Sequence, residues 1–203
     1  MKKLFAVMMS VALIFAVTAC GSAGDRTEKS SSPRQNAPER TAAEAKGLVV
    51  YFSWSGNTEN VANSIKDQTG SDIFEIVPQT PYSDDYDTVV DSAREEQRTD
   101  ARPEISGSID NIAQYDVIYV GYPNWWGDMP MILYTFFDTY DLSGKTVIPF
   151  VTSGGSGFSD TISTIRRLEP DASVLEGLSL SSSRASDPGS DVADWLTGLG
   201  LVK

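Results

Sequence analysis

A change of residue pattern between residues 48 and 65 constrains the fold more than any other feature of the chain. Leu48 to Phe52 form an apolar run, which is typical of a buried strand. The run breaks into a turn rich in hydroxyl groups, and a helical pattern follows with Val61, Ala62 and Ile65 on one face. A strand, a polar turn and a helix in this order predict an α/β protein with an anion site at the first amides of the helix.

The turn itself has the chemistry of a phosphate site. Ser53, Ser55 and Thr58 supply hydroxyls, Gly56 allows close approach of the backbone, and Asn57 and Thr58 supply amides. The turn has no Lys or Arg, which excludes a Walker A loop, and it has no G-x-G-x-x-G pattern, which argues against a dinucleotide. A neutral set of donors suits one terminal phosphate monoester. The alternative is an ordinary N-capped helix, since Ser and Thr are common caps.

Composition removes several classes of chemistry. The chain has no His, which excludes Ser-His triads, His bases and His metal ligands, and we predict no metal site. Its only thiol is Cys20, so disulfides, CxxC redox chemistry and iron–sulfur ligation within this chain are excluded. The formal net charge of −12 argues against nucleic acid as a partner. A borrowed cofactor would have to supply most of the remaining chemistry.

Residues 1–19 are predicted to be a signal peptide. Lys2 and Lys3 precede an apolar stretch, Leu4 to Val17, that is too short for a comfortable membrane span. The segment ends Val17-Thr18-Ala19-Cys20, which resembles a bacterial lipobox, in which the cysteine is lipidated and becomes the mature N-terminus. The alternative is a plain secretory signal with a chance cysteine. The resemblance implies a lipoprotein anchored to the outside of a bacterial membrane through Cys20.

Residues 20–46 follow as a predicted tether after the lipidated cysteine. Gly21 to Lys46 are rich in Ser, Ala, Pro, Gly and charge, with no apolar periodicity. A flexible coil of this length has a root-mean-square span of roughly 28 Å and stretches to about 85 Å. A helical spacer over Arg40 to Lys46 is the alternative. Either would let the domain at residues 47–203 stand clear of the bilayer.

The rest of the chain alternates strand and helix patterns. Strands are predicted at Asp72 to Val77, Tyr115 to Gly121, Thr146 to Val151 and Ser173 to Leu180, and helices at Tyr86 to Arg98, Met131 to Thr139, Asp160 to Leu168 and from a Ser190 or Asp191 cap to Gly198. With the first strand, this gives a doubly wound parallel sheet of five strands. Pro149 predicts a local irregularity, because proline donates no ladder hydrogen bond.

Three loops should meet around one ligand. In an open parallel sheet, ligands bind beyond the carboxyl ends of the strands. The loops after the first, third and fourth strands are also the three unusual loops of the chain. Their candidate site residues are Ser53, Trp54, Ser55, Gly56, Asn57 and Thr58; Pro123, Asn124, Trp125, Trp126 and Gly127; and Thr152, Ser153, Gly154, Gly155, Ser156 and Gly157. For the tryptophans the alternative is core packing, and for the glycine-rich loop it is a flexible turn.

These motifs resemble the flavodoxin family. Ser53 to Thr58 match its phosphate loop, T/S-x-T/S-G-x-T, at each constrained position, and Gly121 to Gly127 and Val147 to Gly157 are similar to a bacterial flavodoxin-like branch. The resemblance covers nearly all of residues 47–203. It implies a flavodoxin-like sheet of order 2-1-3-4-5 with helices on both faces, and FMN as the cofactor.

The resemblance also implies a role for each loop. Ser53 to Thr58 would hold the FMN phosphate, and Trp125 or Trp126 would stack on the flavin ring. The backbone of Pro123 to Gly127 would meet the ring edge. Gly154, Gly155 and Gly157 would bring amides to the pyrimidine edge, with Ser153 and Ser156 assisting. The later loop has only Phe158 as an aromatic residue, which departs from the double-sided stacking of typical flavodoxins.

The expected function is electron transfer, since such a cofactor carries the redox chemistry and the protein sets its potential. Acidic surroundings, with Asp128 as the nearest candidate, would lower that potential. The same acidity would steer a redox partner protein with a basic docking patch; a small-molecule acceptor is also open. The acidic run from Asp84 to Glu96 is either a solvated face or part of that docking surface. An FMN-dependent NAD(P)H:quinone or acceptor oxidoreductase and a non-redox binding module are the alternatives.

Overall fold

The computed structural model of the protein describes residues 45–202. The signal segment, Cys20 and nearly all of the predicted tether lie outside these residues and stay predictions. The strands are β1 Gly47–Tyr51, β2 Asp72–Glu75, β3 Val77–Pro78, β4 Ile105–Ser106, β5 Val117–Pro123, β6 Thr146–Ser153, β7 Ser173–Val174 and β8 Leu178–Ser181. The helices are α1 Asn57–Thr69, α2 Tyr86–Thr99, α3 Met131–Thr139, α4 Thr161–Leu168 and α5 Gly189–Gly198, with a short 3₁₀ helix at Ile112–Gln114.

The main sheet has the order β2-β1-β5-β6-β7, and β8 also pairs with β6. Each of these pairs is parallel. When β7 and β8 are counted together as the predicted fifth strand, the order is the 2-1-3-4-5 implied by the flavodoxin resemblance. The predicted fold class is therefore confirmed. β3 and β4 form a separate antiparallel pair.

Side chains of the sheet alternate between two apolar layers. Val50 belongs to the layer that contains the buried face of α3, and Val49 belongs to the layer that contains α1 and α5. This alternation follows from the two-residue period of a strand. All residues of β6 after Thr146 are buried, as expected for a strand covered on both faces. The two layers hold the carboxyl ends of β1, β5 and β6 side by side.

The irregularity expected at Pro149 is absent from β6, which is continuous, and falls instead on the strand beside it. The amide of Leu175 donates to the carbonyl of Val147 at 3.0 Å, so this side of β6 faces the edge strands. Pro149, two residues after Val147, points its backbone nitrogen to the same side but has no N–H to donate. The fifth strand is interrupted beside it, between Val174 and Leu178. Gly177 lies within this interruption. A residue with a Cβ would not fit there, because the Cβ would collide with the carbonyl oxygen of Pro149.

Several predicted boundaries differ from the structure by one or more residues, and three of these differences concern the tether, the second strand and α5. Lys46, placed in the tether, is part of the fold: its amide donates to Asp116 at 2.9 Å and its ammonium lies 3.0 Å from Asp72. The second strand ends at Glu75, because the chain leaves the sheet to form β3. Neither Ser190 nor Asp191 caps α5; that helix begins at Gly189, and the carboxylate of Asp191 pairs with Arg184.

Within residues 45–202, no helix is long and apolar enough to cross a membrane. The same residues contain no group of three or more His, Cys, Asp or Glu side chains placed to hold a metal ion.

Candidate functional site

The loop after β1 leaves the sheet between two neighbouring strands. The amide of Phe52 donates to the carbonyl of Gly121 in β5 at 3.0 Å, and the amide of Ile76 donates to the carbonyl of Tyr51 at 2.7 Å. The chain then turns at Gly56, whose φ is 82°, and α1 begins at the next residue. The loop therefore stands at the carboxyl end of β1, where ligands of open parallel sheets bind.

A run of main-chain donors at the start of α1 has no acceptor within the described chain. The amides from Trp54 to Glu59 donate no hydrogen bond to any residue of the range 45–202. They include the first amides of the helix, which have no intrahelical partner and carry the positive end of the helix dipole. A Cβ placed on Gly56 would meet nothing within 4 Å, so the backbone there is open to a ligand. These donors suit an anion.

Ser53, at the beginning of the same loop, has a side-chain hydroxyl that could also serve as a donor. Its Oγ is the only buried side-chain polar atom among the described residues that has no hydrogen-bond partner. Leaving a buried hydroxyl unpaired costs about 1–3 kcal/mol, so such atoms in native proteins usually mark a strained or ligand-binding position. Ser55 lies nearby in the exposed part of the loop, where its Oγ accepts from Asn57 Nδ2 at 3.2 Å. The residues fit a phosphate monoester.

Thr58 has a partner that the sequence did not reveal. Its side chain is buried, and its Oγ1 lies 2.8 Å from Oγ1 of Thr152 at the end of β6. This contact brings the first and third predicted loops together. The hydroxyl of Thr58 is thus shared with Thr152, whereas the Thr58 amide remains without an acceptor in the described chain.

The second predicted loop is a tight hairpin turn. The amide of Trp125 donates to the carbonyl of Asp128 at 2.9 Å, and the reverse bond measures 3.0 Å. The two residues between them, Trp126 and Gly127, have φ values of 55° and 81°. Positive φ at both central positions defines a type I′ turn, for which glycine is well suited and tryptophan is not. The turn fixes the backbone from which both indoles project.

The structure distinguishes the two tryptophans. Trp125 is partly buried and makes edge contacts with Phe52 and Tyr82, at centroid distances of 5.4 Å and 5.3 Å. Trp126 is 47 % exposed. Trp125 therefore supports the core beneath the site, as the core-packing alternative proposed, and Trp126 offers the more accessible ring.

Asn124 joins the second loop to the third. Its amide donates to the carbonyl of Thr152 at 2.9 Å, and its side chain donates to the carbonyl of Gly157 at 2.8 Å. Its Oδ1 accepts from the amide of Gly127 at 3.0 Å. Asn124 is thus a brace between the loops.

Hydrogen bonds within the glycine-rich loop connect its beginning to its end. Ser153 Oγ accepts from the amide of Gly155 at 3.2 Å and from the amide of Gly157 at 3.0 Å. These two amides, expected to reach a flavin edge, are used inside the loop. Gly154 and Ser156 are exposed, and their amides form no hydrogen bond to the described chain. Of the three glycine amides predicted to reach a ligand, only that of Gly154 therefore forms no hydrogen bond within the described chain.

An aromatic cleft of about 250 Å³ adjoins the phosphate loop. It is lined by Trp54, Tyr86, Val89, Val90, Ala93, Asn124, Trp125 and Trp126. None of these side chains is charged, so the cleft suits a flat apolar ring. Four of them were predicted site residues. The residues from Thr152 to Gly157 do not line the cleft, and they join the site only through Asn124 and Thr58.

Helix α2 is the part of the cleft that the sequence prediction missed. Val89 and Ala93 are buried on the face of α2 that turns to the tryptophans, and Val90 and Tyr86 lie beside them. The narrow apolar stripe in an acidic helix was the available signal. Periodicity alone could not say that this stripe faces the loop after β5.

Asp128, expected to influence a flavin potential, is held in place by hydrogen bonds. Its carboxylate accepts from the amide of Met129 and from the hydroxyl of Tyr134, both at 2.8 Å. Burial raises the pKa of Tyr134, and the bond to Asp128 raises it further. Tyr134 therefore stays protonated as a donor, and its hydrogen bond holds the Asp128 side chain beside the turn.

Comparison with known proteins agrees with this geometry. The family model described as Flavodoxin matches residues 46–199. A crystal structure of a candidate flavoprotein from Bacteroides eggerthii is 34 % identical, covers 78 % of this chain and 99 % of its own, and superposes with a TM-score of 0.69. One from Bacteroides uniformis is 30 % identical, with coverages of 75 % and 98 % and a TM-score of 0.68.

A third structure is that of a flavoprotein from Lactobacillus acidophilus in complex with FMN. It is 27 % identical, covers 72 % of this chain and 99 % of its own, and has a TM-score of 0.59. Among curated proteins no sequence matches the chain significantly. The matched family model spans most of the chain, including all three loops of the site. The chain therefore belongs to the flavodoxin family.

Proposed function

We propose that the protein binds FMN and transfers electrons. The observation that carries the proposal is the set of donors after β1: the buried Ser53 Oγ without a partner and the amides from Trp54 to Glu59. These donors would hold the phosphate, while the accessible indole of Trp126 would cover one face of the ring. The FMN complex of the Lactobacillus acidophilus relative supports this choice of ligand.

FMN, when bound, would supply reversible one- and two-electron redox chemistry. The chain's own groups would orient it and set its potential. Helix amides would stabilise a phosphate dianion without a counter-ion, and the turn of Trp126 and Gly127 would bring main chain to the ring edge. Asp128 and the overall acidity oppose the extra negative charge of the reduced ring, so they would lower the potential.

We place the partner-binding surface on α2. Asp84, Asp87, Asp91 and Glu95 are exposed along the acidic run, whereas Asp85 caps the helix by accepting from the amide of Thr88 at 2.9 Å. Asp87 and Asp91 directly follow two residues that line the cleft, Tyr86 and Val90. A redox partner with a basic patch would be attracted to this face, at a rate that falls as salt rises.

Anchoring through Cys20 remains part of the proposal. Lipidation there would tether the domain outside a bacterial membrane, where NAD(P)H is not readily available, which favours a carrier over a reductase. Replacement Cys20→Ala should move the protein from the membrane fraction to the soluble fraction and leave the FMN spectrum unchanged. Retention of that variant in membranes would contradict the anchor without affecting the FMN site.

The reductase is the second candidate, and the exposure of Trp126 is the observation that favours it, since a site that opens at the protein surface could also admit a quinone. Stopped-flow mixing with NADPH separates the two. Rapid bleaching of bound FMN supports the reductase, and slow or absent bleaching supports the carrier.

Titration of the purified protein with FMN tests the proposal itself. We expect saturable binding, a shifted flavin absorbance and quenched flavin fluorescence. A protein that leaves the absorbance of added FMN unchanged would instead be a non-redox binding module. Stepwise reduction with dithionite in two one-electron stages would support the carrier, and a direct two-electron step would support the reductase.

A further inference from the structure

Trp126 adopts a backbone conformation that an exposed aromatic residue seldom takes. Its φ is 55°, and 47 % of its surface is exposed. The left-handed region is unfavourable for residues with a Cβ, and a half-exposed indole normally samples several rotamers. Something must therefore keep this ring in one orientation.

Two contacts from α2 hold the indole. Its Nε1 donates to the carbonyl of Val90 at 3.0 Å. The guanidinium carbon of Arg94 lies 4.1 Å from the ring centroid, which is within the range of a cation–π contact. One contact fixes the edge of the ring and the other covers a face, so together they restrain both rotation and tilt.

Arg94 makes this contact although acidic residues are close along the helix. Asp91 stands three positions before it, a spacing that commonly gives a salt bridge. Arg94 nevertheless forms no salt bridge within the part of the chain that the structure describes, whereas Glu95 pairs with Arg98 at 2.6 Å. The guanidinium is placed on the indole instead of on a carboxylate.

The guanidinium of Arg94 covers the Trp126 ring but is not part of the wall of the cleft. Val90, Ala93 and Trp126 line the cleft, but Arg94 does not. Since a planar ring has two faces and Arg94 can cover only one of them, the proposal leaves the other face, toward the cleft, for a ligand.

We infer that Arg94 is a positioning residue, which, with the carbonyl of Val90, fixes Trp126 as a preformed stacking surface for a planar ring. The inference rests on the proposed FMN function for the identity of that ring. A ring that is already oriented loses less side-chain freedom when a ligand binds. Loss of an exposed cation–π contact should weaken FMN binding by about two- to fivefold.

The test compares Arg94→Ala with Arg98→Ala, an exposed arginine one turn further along the same helix. Proteins labelled with fluorotryptophan are studied by fluorine NMR without FMN, and Trp126→Phe assigns the Trp126 signal. We expect Arg94→Ala to shift or broaden this signal and to weaken FMN binding, and Arg98→Ala to change neither.

Two results would overturn the inference. One is an unchanged Trp126 signal together with unchanged FMN affinity in Arg94→Ala. The other is tighter FMN binding in that variant, since it would mean that the guanidinium occupies the face that the flavin needs. If the wild-type protein binds no FMN, the proposed function fails, and the NMR comparison still decides whether Arg94 positions Trp126.

Discussion

The hydroxyl of Thr58 lies 2.8 Å from the hydroxyl of Thr152, and both residues are buried. Thr58 is in the first turn of α1, and Thr152 is near the end of β6, two strands away from β1 in the sheet. The contact therefore crosses over β5 and ties the phosphate loop to the glycine-rich loop. It is the physical link that makes one site of two segments far apart in the sequence.

Replacement Ser53→Ala should stabilise the protein without FMN and weaken FMN binding. The variant removes a buried hydroxyl that has no partner, which should raise the free energy of unfolding by about 1 kcal/mol. It also removes a donor to a charged phosphate, which should cost about 1.5–3 kcal/mol of binding free energy. Urea unfolding and FMN titration measure the two effects.

Ser55→Ala is the matched control, because its hydroxyl is in the same loop but exposed. This variant should not become more stable. If Ser53→Ala were instead destabilised and bound FMN normally, the Ser53 hydroxyl would have a structural partner and no ligand.

Replacement Gly56→Ala should destabilise α1 through the backbone alone. Gly56 has a φ of 82°, and a Cβ there would meet nothing within 4 Å, so no clash contributes. The left-handed conformation costs a residue with a Cβ roughly 1–2 kcal/mol. Gly154→Ala is the control, since Gly154 is equally open but has no positive φ. Equal thermal stability of the two variants would contradict this explanation.

Replacing each of the two neighbouring tryptophans should affect a different property: Trp125 the stability of the fold, and Trp126 the contact with the flavin. Trp125→Ala should lower the free energy of unfolding by about 3 kcal/mol, because Trp125 packs on Phe52 and Tyr82. Trp126→Ala should change stability by less than about 1 kcal/mol but should relieve much of the quenching of bound flavin fluorescence. Quenching lost with Trp125 and kept without Trp126 would reverse the assignment.

Glu169, at the opposite end of the sheet from the site, should make the stability of the protein depend on pH. Burial raises the pKa of Glu169 from 4.5 to about 7, and the charge of Asp141 adds to the effect. Between pH 4.5 and about pH 7 the folded protein therefore binds a proton at Glu169 more tightly than the unfolded chain does. Stability from this group is therefore complete below pH 4.5 and falls as the pH rises to about 7, by at most about 3 kcal/mol.

Replacement Glu169→Gln should flatten this part of the stability profile and raise stability at pH 8. Urea unfolding over a range of pH measures it. Glu104→Gln, at an exposed glutamate, serves as the control. A Glu169→Gln profile that keeps the wild-type decline would show that another group titrates.

Much of the architecture could be predicted because it follows from local patterns. The apolar runs of β1, β5 and β6 are buried on both faces, and such runs show up directly in a sequence. The start of α2 at Tyr86 was likewise predicted from the sequence. The break between β7 and β8 was harder to predict from the sequence. Pro149 predicted an irregularity, but its effect falls on the neighbouring strand.

Within the site, donors along one segment could be predicted and contacts across segments could not. Ser53 to Thr58 follow a local motif, so their position at the start of α1 was predictable. The pairing of Thr58 with Thr152 and the use of Gly155 and Gly157 amides by Ser153 depend on tertiary geometry. The place of α2 beside Trp126 was missed for the same reason, because an amphipathic stripe does not identify the surface it covers.

A crystal structure of the protein grown with excess FMN tests the central claim most directly. The account predicts the FMN phosphate within hydrogen-bonding distance of Ser53 Oγ and of several amides between Trp54 and Glu59, with the ring on Trp126. A crystal structure in which the loop after β1 holds no FMN phosphate, or in which the phosphate is bound elsewhere on the protein, would contradict it.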